Sequence, residues 1–164
     1  NDSSKNSYLK LFKEKNKKIS FTDIKNYFKN SNFSQDLILI MSLCNDDFKK
    51  INEKFYVNFS RNEITVKKLK NIDSFIRKIK SQKYLYINCR KESFINTLKN
   101  NLPWDDLLIG FQCKIKRNPN IYNWNFWFHF SNIYTTKNNI REIQSCSNCK
   151  IFEDKVNNEL YSLK

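Results

Sequence analysis

The spacing of apolar side chains changes near the middle of the chain. In the first half it is mostly helical. Ser20 opens the run S-F-T-D, a capping-box-like start with Asp23 in the place of the usual Glu, and predicts a helix through Phe28. Ser34 can cap a second helix, SQDLILIMSLC, whose apolarity on all sides predicts burial. In DDFKKINEKF, residues 46–55, Phe48, Ile51 and Phe55 fall on one helical face. The stretch YVNFSRNEITV is β-branched and aromatic, and predicts short extended segments around a turn at Arg61-Asn62. Asn71 caps NIDSFIRKIKSQ, where Ile72, Phe75, Ile76 and Ile79 form a stripe.

After residue 82 the period shortens. YLYINC, residues 84–89, predicts a strand, and KESFINTLKNNL a helix with Phe94, Ile95 and Leu98 inward. Ile109, Phe111, Cys113 and Ile115 alternate with Gly110, Gln112, Lys114 and Lys116, which is a strand pattern. Trp124, Phe126, Phe128 and Phe130 alternate in the same way with Asn125, Trp127, His129 and Ser131. RNPNIYN supplies the turn between them. TTKNNIREIQS predicts a helix, CKIF a short strand and EDKVNNELYSLK a closing helix.

The predicted class is therefore α+β, in three parts. Residues 1–19 are a charged N-terminal segment with a weak helical pattern at Tyr8, Leu9 and Phe12. Residues 20–82 read as a small helical domain with strand-like elements, the general winged-helix pattern. Residues 83–164 read as a split βαβ antiparallel sheet with helices on one face and the other face free.

Charge and composition sharpen this picture. The 164 residues carry a net charge of +14, from 30 basic and 16 acidic side chains. A charge of that size points to a polyanion, either nucleic acid or an anionic membrane. The 25 Lys, 25 Asn and single Gly, with no Ala, also match an AT-rich coding sequence, so part of the Lys excess is compositional. The longest apolar run, Leu37–Met41, is far short of the roughly 18 residues of a membrane helix. No signal-peptide stretch opens the chain, and its start at Asn1 reads as that of a fragment. Five Cys without such a signal predict reduced thiols in an intracellular protein, nuclear or cytoplasmic. Cys146-Ser-Asn-Cys149 has no second CxxC, and His129 is the one His, so no metal site or cofactor is expected. No Ser/His/Asp set, paired-carboxylate cleft or Gly-rich phosphate loop stands out, and no enzyme is predicted.

Two motifs point to a ligand. L-Y-I-N-C resembles the first signature of the RNA recognition motif, and NWNFWFHF resembles the second. Alternation puts Tyr84, Tyr86, Gln112, Lys114, Lys116 and Trp127 on the predicted free face, where aromatics stack on bases and lysines meet phosphates. The competing reading is an aromatic strand buried on both faces. The basic-Gly start and small residue usual in the second signature are replaced by Asn123-Trp124 and Phe126.

The stretch YFKNSNFSQDLIL, with Tyr27-Phe28, Asn32-Phe33, Asp36 and Ile38-Leu39, resembles the La motif, the winged-helix-like RNA-binding domain of La and La-related proteins. Phe59-Ser60-Arg61 resembles that family's later Phe-Asn-Arg/Lys step, and an RNA recognition motif follows the La motif there. The resemblance implies that Tyr27, Asp36 and Phe59 grip the 3′ end of an RNA, with Asp36 accepting from ribose hydroxyls, and Arg61 is expected as a further RNA contact. Asp23, Asn26 and Ile38 depart from the family's pattern. The predicted function is thus non-catalytic binding of single-stranded RNA, with a 3′ end clamped between two modules in a ribonucleoprotein complex. The alternative is a basic module that binds another protein or an anionic membrane surface.

Overall fold

The computed structural model describes residues 19–60 and 63–133. They form an α+β structure around one five-stranded sheet of order β3-β2-β1-β4-β5. The strands are β1 Ile38–Cys44, β2 Ile51–Asn58, β3 Thr65–Lys68, β4 Tyr84–Arg90 and β5 Cys113–Asn118. Five helices accompany them: α1 Phe21–Lys29, α2 Ile72–Lys78, α3 Lys91–Lys99, α4 Asp105–Ile109 and α5 Trp124–Asn132.

Several expectations hold. Ser20 and Asp23 close a capping box at the start of α1, and the Asn71 side chain caps α2. β2 and β3 are antiparallel, as the turn signal at Arg61-Asn62 suggests.

Others are corrected. The run predicted as a buried helix from Ser34 is β1, buried at all seven positions. A short aliphatic run buried on both faces looks the same as helix or as central strand, and pairing decides between them. Here β1 lies between β2, antiparallel, and β4, parallel. DDFKKINEKF is a turn followed by β2 instead of a helix. The sheet is consequently mixed, and the boundary expected at residues 82–83 falls inside it, because β1 from one half pairs with β4 from the other. The aromatic segment 124–132 is a helix whose buried residues, Phe126, Trp127 and Phe130, follow the helical period. The elements expected in 135–164, with the Cys146/Cys149 pair, lie outside the described residues, as does the segment 1–18.

Helices pack on both faces of the sheet. On one face Leu39, Met41, Phe55, Val57, Leu85 and Ile87 are in register across three strands. An aromatic layer covers them, with Phe28 against Phe55, Trp104 and Phe130, and Trp104 against Phe94, Phe126 and Trp127. Such rings prefer edge-to-face and offset contacts at these separations. On the other face Ile38, Ile40 and Tyr84 cluster with Ile72 and Ile79, and Phe75 and Ile76 of α2 pack against them. Phe75 stacks on Tyr56 at 4.5 Å between ring centroids. That leaves the far end of this second face to polar residues.

Candidate nucleic-acid interface

Alternation and register fix what the far end of the second face carries. Ser42 of β1 is the partner of Lys54 on β2 and of Asn88 on β4. Across β4 and β5, Asn88 pairs with Lys114 and Tyr86 with Lys116. Because side chains alternate along a strand, these residues project to the same side. Lys114 and Lys116 are exposed; Lys54, Tyr86 and Asn88 are half-buried. Ser42, fully buried beneath them, donates to Asn88 Oδ1 at 2.9 Å and lies 2.9 Å from the Tyr86 hydroxyl. This network fixes the Tyr86 ring and the Asn88 amide in the sheet surface.

The strand ends extend the cationic patch. Arg90 is anchored twice, with Nε donating to the Asp46 carbonyl at 2.8 Å and Nη1 to Gln112 Oε1 at 3.0 Å. Its guanidinium sits 4.9 Å from the centre of the Phe48 ring, and Lys114 Nζ lies at the same distance. Phe48 occupies the β1–β2 turn with φ of 63°, a left-handed conformation costly for a bulky L-residue. Asn45 secures the turn, its carbonyl accepting from Phe48 N and its side chain from Lys50 N. Two cations thus share one aromatic ring. In the same turn the Asp47 carboxyl is held below its usual range by the Lys49 backbone N–H.

The structure brings together Tyr86, Lys114 and Lys116 of the predicted site. The others lie elsewhere. Tyr84 points to the same face but is buried under α2. Gln112, at the foot of β5, accepts from Arg90 and Ser93, so its carbonyl is spent on internal bonds. Trp127 is 3% exposed in α5, because the helix turns it into the core. Tyr27 and Phe59 are core residues too, Tyr27 accepting from Trp104 Nε1 at 2.8 Å and Phe59 packing on Phe33 at 4.8 Å. Neither ring is available to stack on a base. Asp36 is exposed in the segment before β1, where it lines a separate cleft. Arg61 lies outside the described residues. Sequence reasoning missed Ser42, Phe48, Lys54, Asn88 and Arg90. The signal for Asn88 and Arg90 was the same alternation that marks Tyr86; Ser42 and Lys54 were hidden by reading their strands as helices.

The described residues thus define an α+β module with an aromatic core on one sheet face and a cationic half-face on the other. No protein-family model matches the chain, and no solved structure matches it. Part of it is similar to cytidine monophosphate-N-acetylneuraminic acid hydroxylases. It is 49% identical to that of Xenopus laevis over 47 residues, which are 29% of this chain and 8% of that protein. It is 42% identical to that of Sus scrofa over 59 residues, 35% of this chain and 14% of that protein. The inactive human protein of that name is 45% identical over 47 residues, 29% of this chain and 9% of its own length. The chain therefore spans only a small part of the curated relatives it matches. Among the described residues no helix is long and apolar enough to cross a membrane, and no group of three or more His, Cys, Asp or Glu is placed to hold a metal ion.

Proposed function

We propose that this chain binds single-stranded RNA without catalysis, on the sheet face formed by Tyr86, Asn88, Lys114, Lys116, Arg90 and Phe48. The observation that carries the reading is the placement of Lys114 and Lys116 beside Tyr86 and Asn88 in one register. Cations spaced along a strand neutralise successive phosphates, while an aromatic and an amide meet bases that a single strand leaves unpaired. The ligand class and a place in an intracellular ribonucleoprotein are what the resemblance to a La motif followed by an RNA recognition motif implies; of its carriers the strand of Tyr86 is kept, while NWNFWFHF is helix α5. The burial of Tyr27 and Phe59 favours the sheet face over a 3′-end pocket in this reading. The test is a fluorescence-anisotropy titration of a short labelled RNA. Lys114→Glu/Lys116→Glu should weaken binding at least about tenfold, since two cations become anions at phosphate-contact positions. Unchanged affinity refutes the reading, and tighter binding to anionic vesicles than to RNA makes this a membrane-surface module.

A second reading rests on the partial similarity to the hydroxylases. The chain would be a non-catalytic module of a larger protein related to them, and the sheet face would take the phosphate of a cytidine nucleotide-sugar. Saturable binding of that nucleotide-sugar, sensitive to the same double variant and unaccompanied by RNA binding, distinguishes it.

A further inference from the structure

The cleft lined by Asp36 belongs to neither reading. It lies where β1 and β4 begin and β5 ends, with the first turn of α5 as one side. Its volume is about 310 Å³, at the small end of small-molecule sites, which suits a single ring. Phe33, Leu37 and Phe126 contribute buried apolar surface. Tyr122 and Trp124, which are 50% and 66% exposed, also line it. Their ring centroids are 6.2 Å apart and the planes are inclined by 51°. Groups outside the cleft brace both rings. The Arg117 guanidinium sits 5.6 Å from the Tyr122 centroid, and Phe128 lies beside Trp124 with a 20° tilt.

The polar lining is of a particular kind. Of its described lining residues only Asp36 and Lys83 are charged, one of each sign. That separates the cleft from the cationic sheet face. The remaining polar side chains include the amides of Gln35, Asn123 and Asn125. Asn123 is the N-cap of α5, yet its side chain makes no capping bond, and its Oδ1 is buried without a partner. A buried acceptor of this sort needs a donor, from an ordered water or from a ligand group.

A pyranose ring meets all of these features. Its C–H face carries slight positive charge and lies favourably on the negative face of an aromatic ring. Each of its hydroxyls both donates and accepts, matching an acceptor-only carboxylate, a donor-only ammonium and amides that do both. We propose that this cleft binds a neutral pyranose saccharide, with Trp124 and Tyr122 as the stacking surface and Asp36, Lys83 and Asn123 as hydroxyl partners. The site is independent of the sheet face.

The experiment is a titration of the intact chain with methyl glucopyranoside, methyl galactopyranoside and N-acetylglucosamine, followed by tryptophan fluorescence. Trp124 is exposed, whereas Trp104 and Trp127 are buried, so Trp124 reports the cleft. At least one saccharide should give a saturable change at millimolar concentration. Asp36→Ala should weaken that binding about tenfold through loss of a charge-assisted hydrogen bond. Trp124→Ala, followed by calorimetry because the reporter is lost, should weaken it by a similar factor. Both side chains are exposed, and circular dichroism checks that both variants fold. Lys114→Glu/Lys116→Glu should leave saccharide binding unchanged, which keeps this test apart from that of the RNA site. Failure of all three saccharides to saturate overturns the proposal, as does cytidine monophosphate binding in the cleft more tightly than any of them.

Discussion

Tyr27 shows how a single hydroxyl can divert a residue from a surface role. It accepts from the Trp104 indole at 2.8 Å inside the aromatic layer. Tyr27→Phe removes that acceptor and leaves a buried N–H unpaired. The expected loss is about 1–3 kcal/mol, read as a lower denaturant midpoint at unchanged m-value. Nothing in the local sequence distinguishes an aromatic of this kind from one on a binding face. Tyr86 was legible because its neighbours alternate; Tyr27 and Phe59 were not, because their burial depends on α5, nearly a hundred residues after Tyr27. The thiols act at the same scale. Cys89 and Cys113 are register partners on β4 and β5. Burial pushes Cys113 from 9.0 up to about 11 and raises Cys89 as well. A raised folded pKa means that the native state keeps its proton longer than the unfolded chain. Stability from this source is complete below the unfolded value and is lost as pH rises through the folded one. Between pH 9 and about 11, the wild type should therefore lose more stability than Cys113→Ala in parallel urea titrations.

At the scale of elements, two of the segments misread from the sequence share a cause. ILIMSLC and WNFWFHFSN are both short and rich in large apolar residues, so each satisfies more than one period. In β1, pairing on both edges overrides the helical reading. In α5, Trp124 and Phe128 are exposed while Phe126, Trp127 and Phe130 are buried, which no strand allows. Elements with a cap or an alternating polar set, namely α1, α2, β4 and most of β5, were readable because punctuation and pattern agreed. Trp127 tests the corrected assignment. Trp127→Ala should cost about 3–5 kcal/mol as a core truncation and leave RNA affinity intact in the fraction that remains folded. Trp127→Phe should cost much less, since it also removes an indole N–H that has no partner in the core. Thermal melts and RNA titrations of the two variants separate these effects. Weaker RNA binding by folded Trp127→Phe would place the ring on the interface after all.

For the whole molecule, charge is the property most directly readable from composition, and its distribution the least. A net charge of +14 says that a polyanion is attracted, but not where. The register puts Lys114 and Lys116 beside Tyr86, which is the place the proposed reading gives to the polyanion. RNA affinity should fall steeply with salt, and each of these lysines converted to Gln should reduce the slope of log affinity against log salt by about 1. An unchanged slope would mean that the phosphates lie elsewhere on the surface.

The parallel pairing of β1 with β4 also decides how the chain can be made and cut. β1 can pair with β2 once residue 58 has been made, but its other edge has no partner until residues 84–90 have been synthesised. During that interval a seven-residue aliphatic strand presents a bare edge, a template for pairing with another chain. A polypeptide ending at residue 82 is permanently in that condition and should aggregate when produced alone. Supplying residues 83–164 as a separate chain should return it to solution, because β4 restores the missing edge; size-exclusion chromatography of the two pieces, mixed and apart, reads the outcome. A soluble, monomeric 1–82 piece would show that the two halves fold independently.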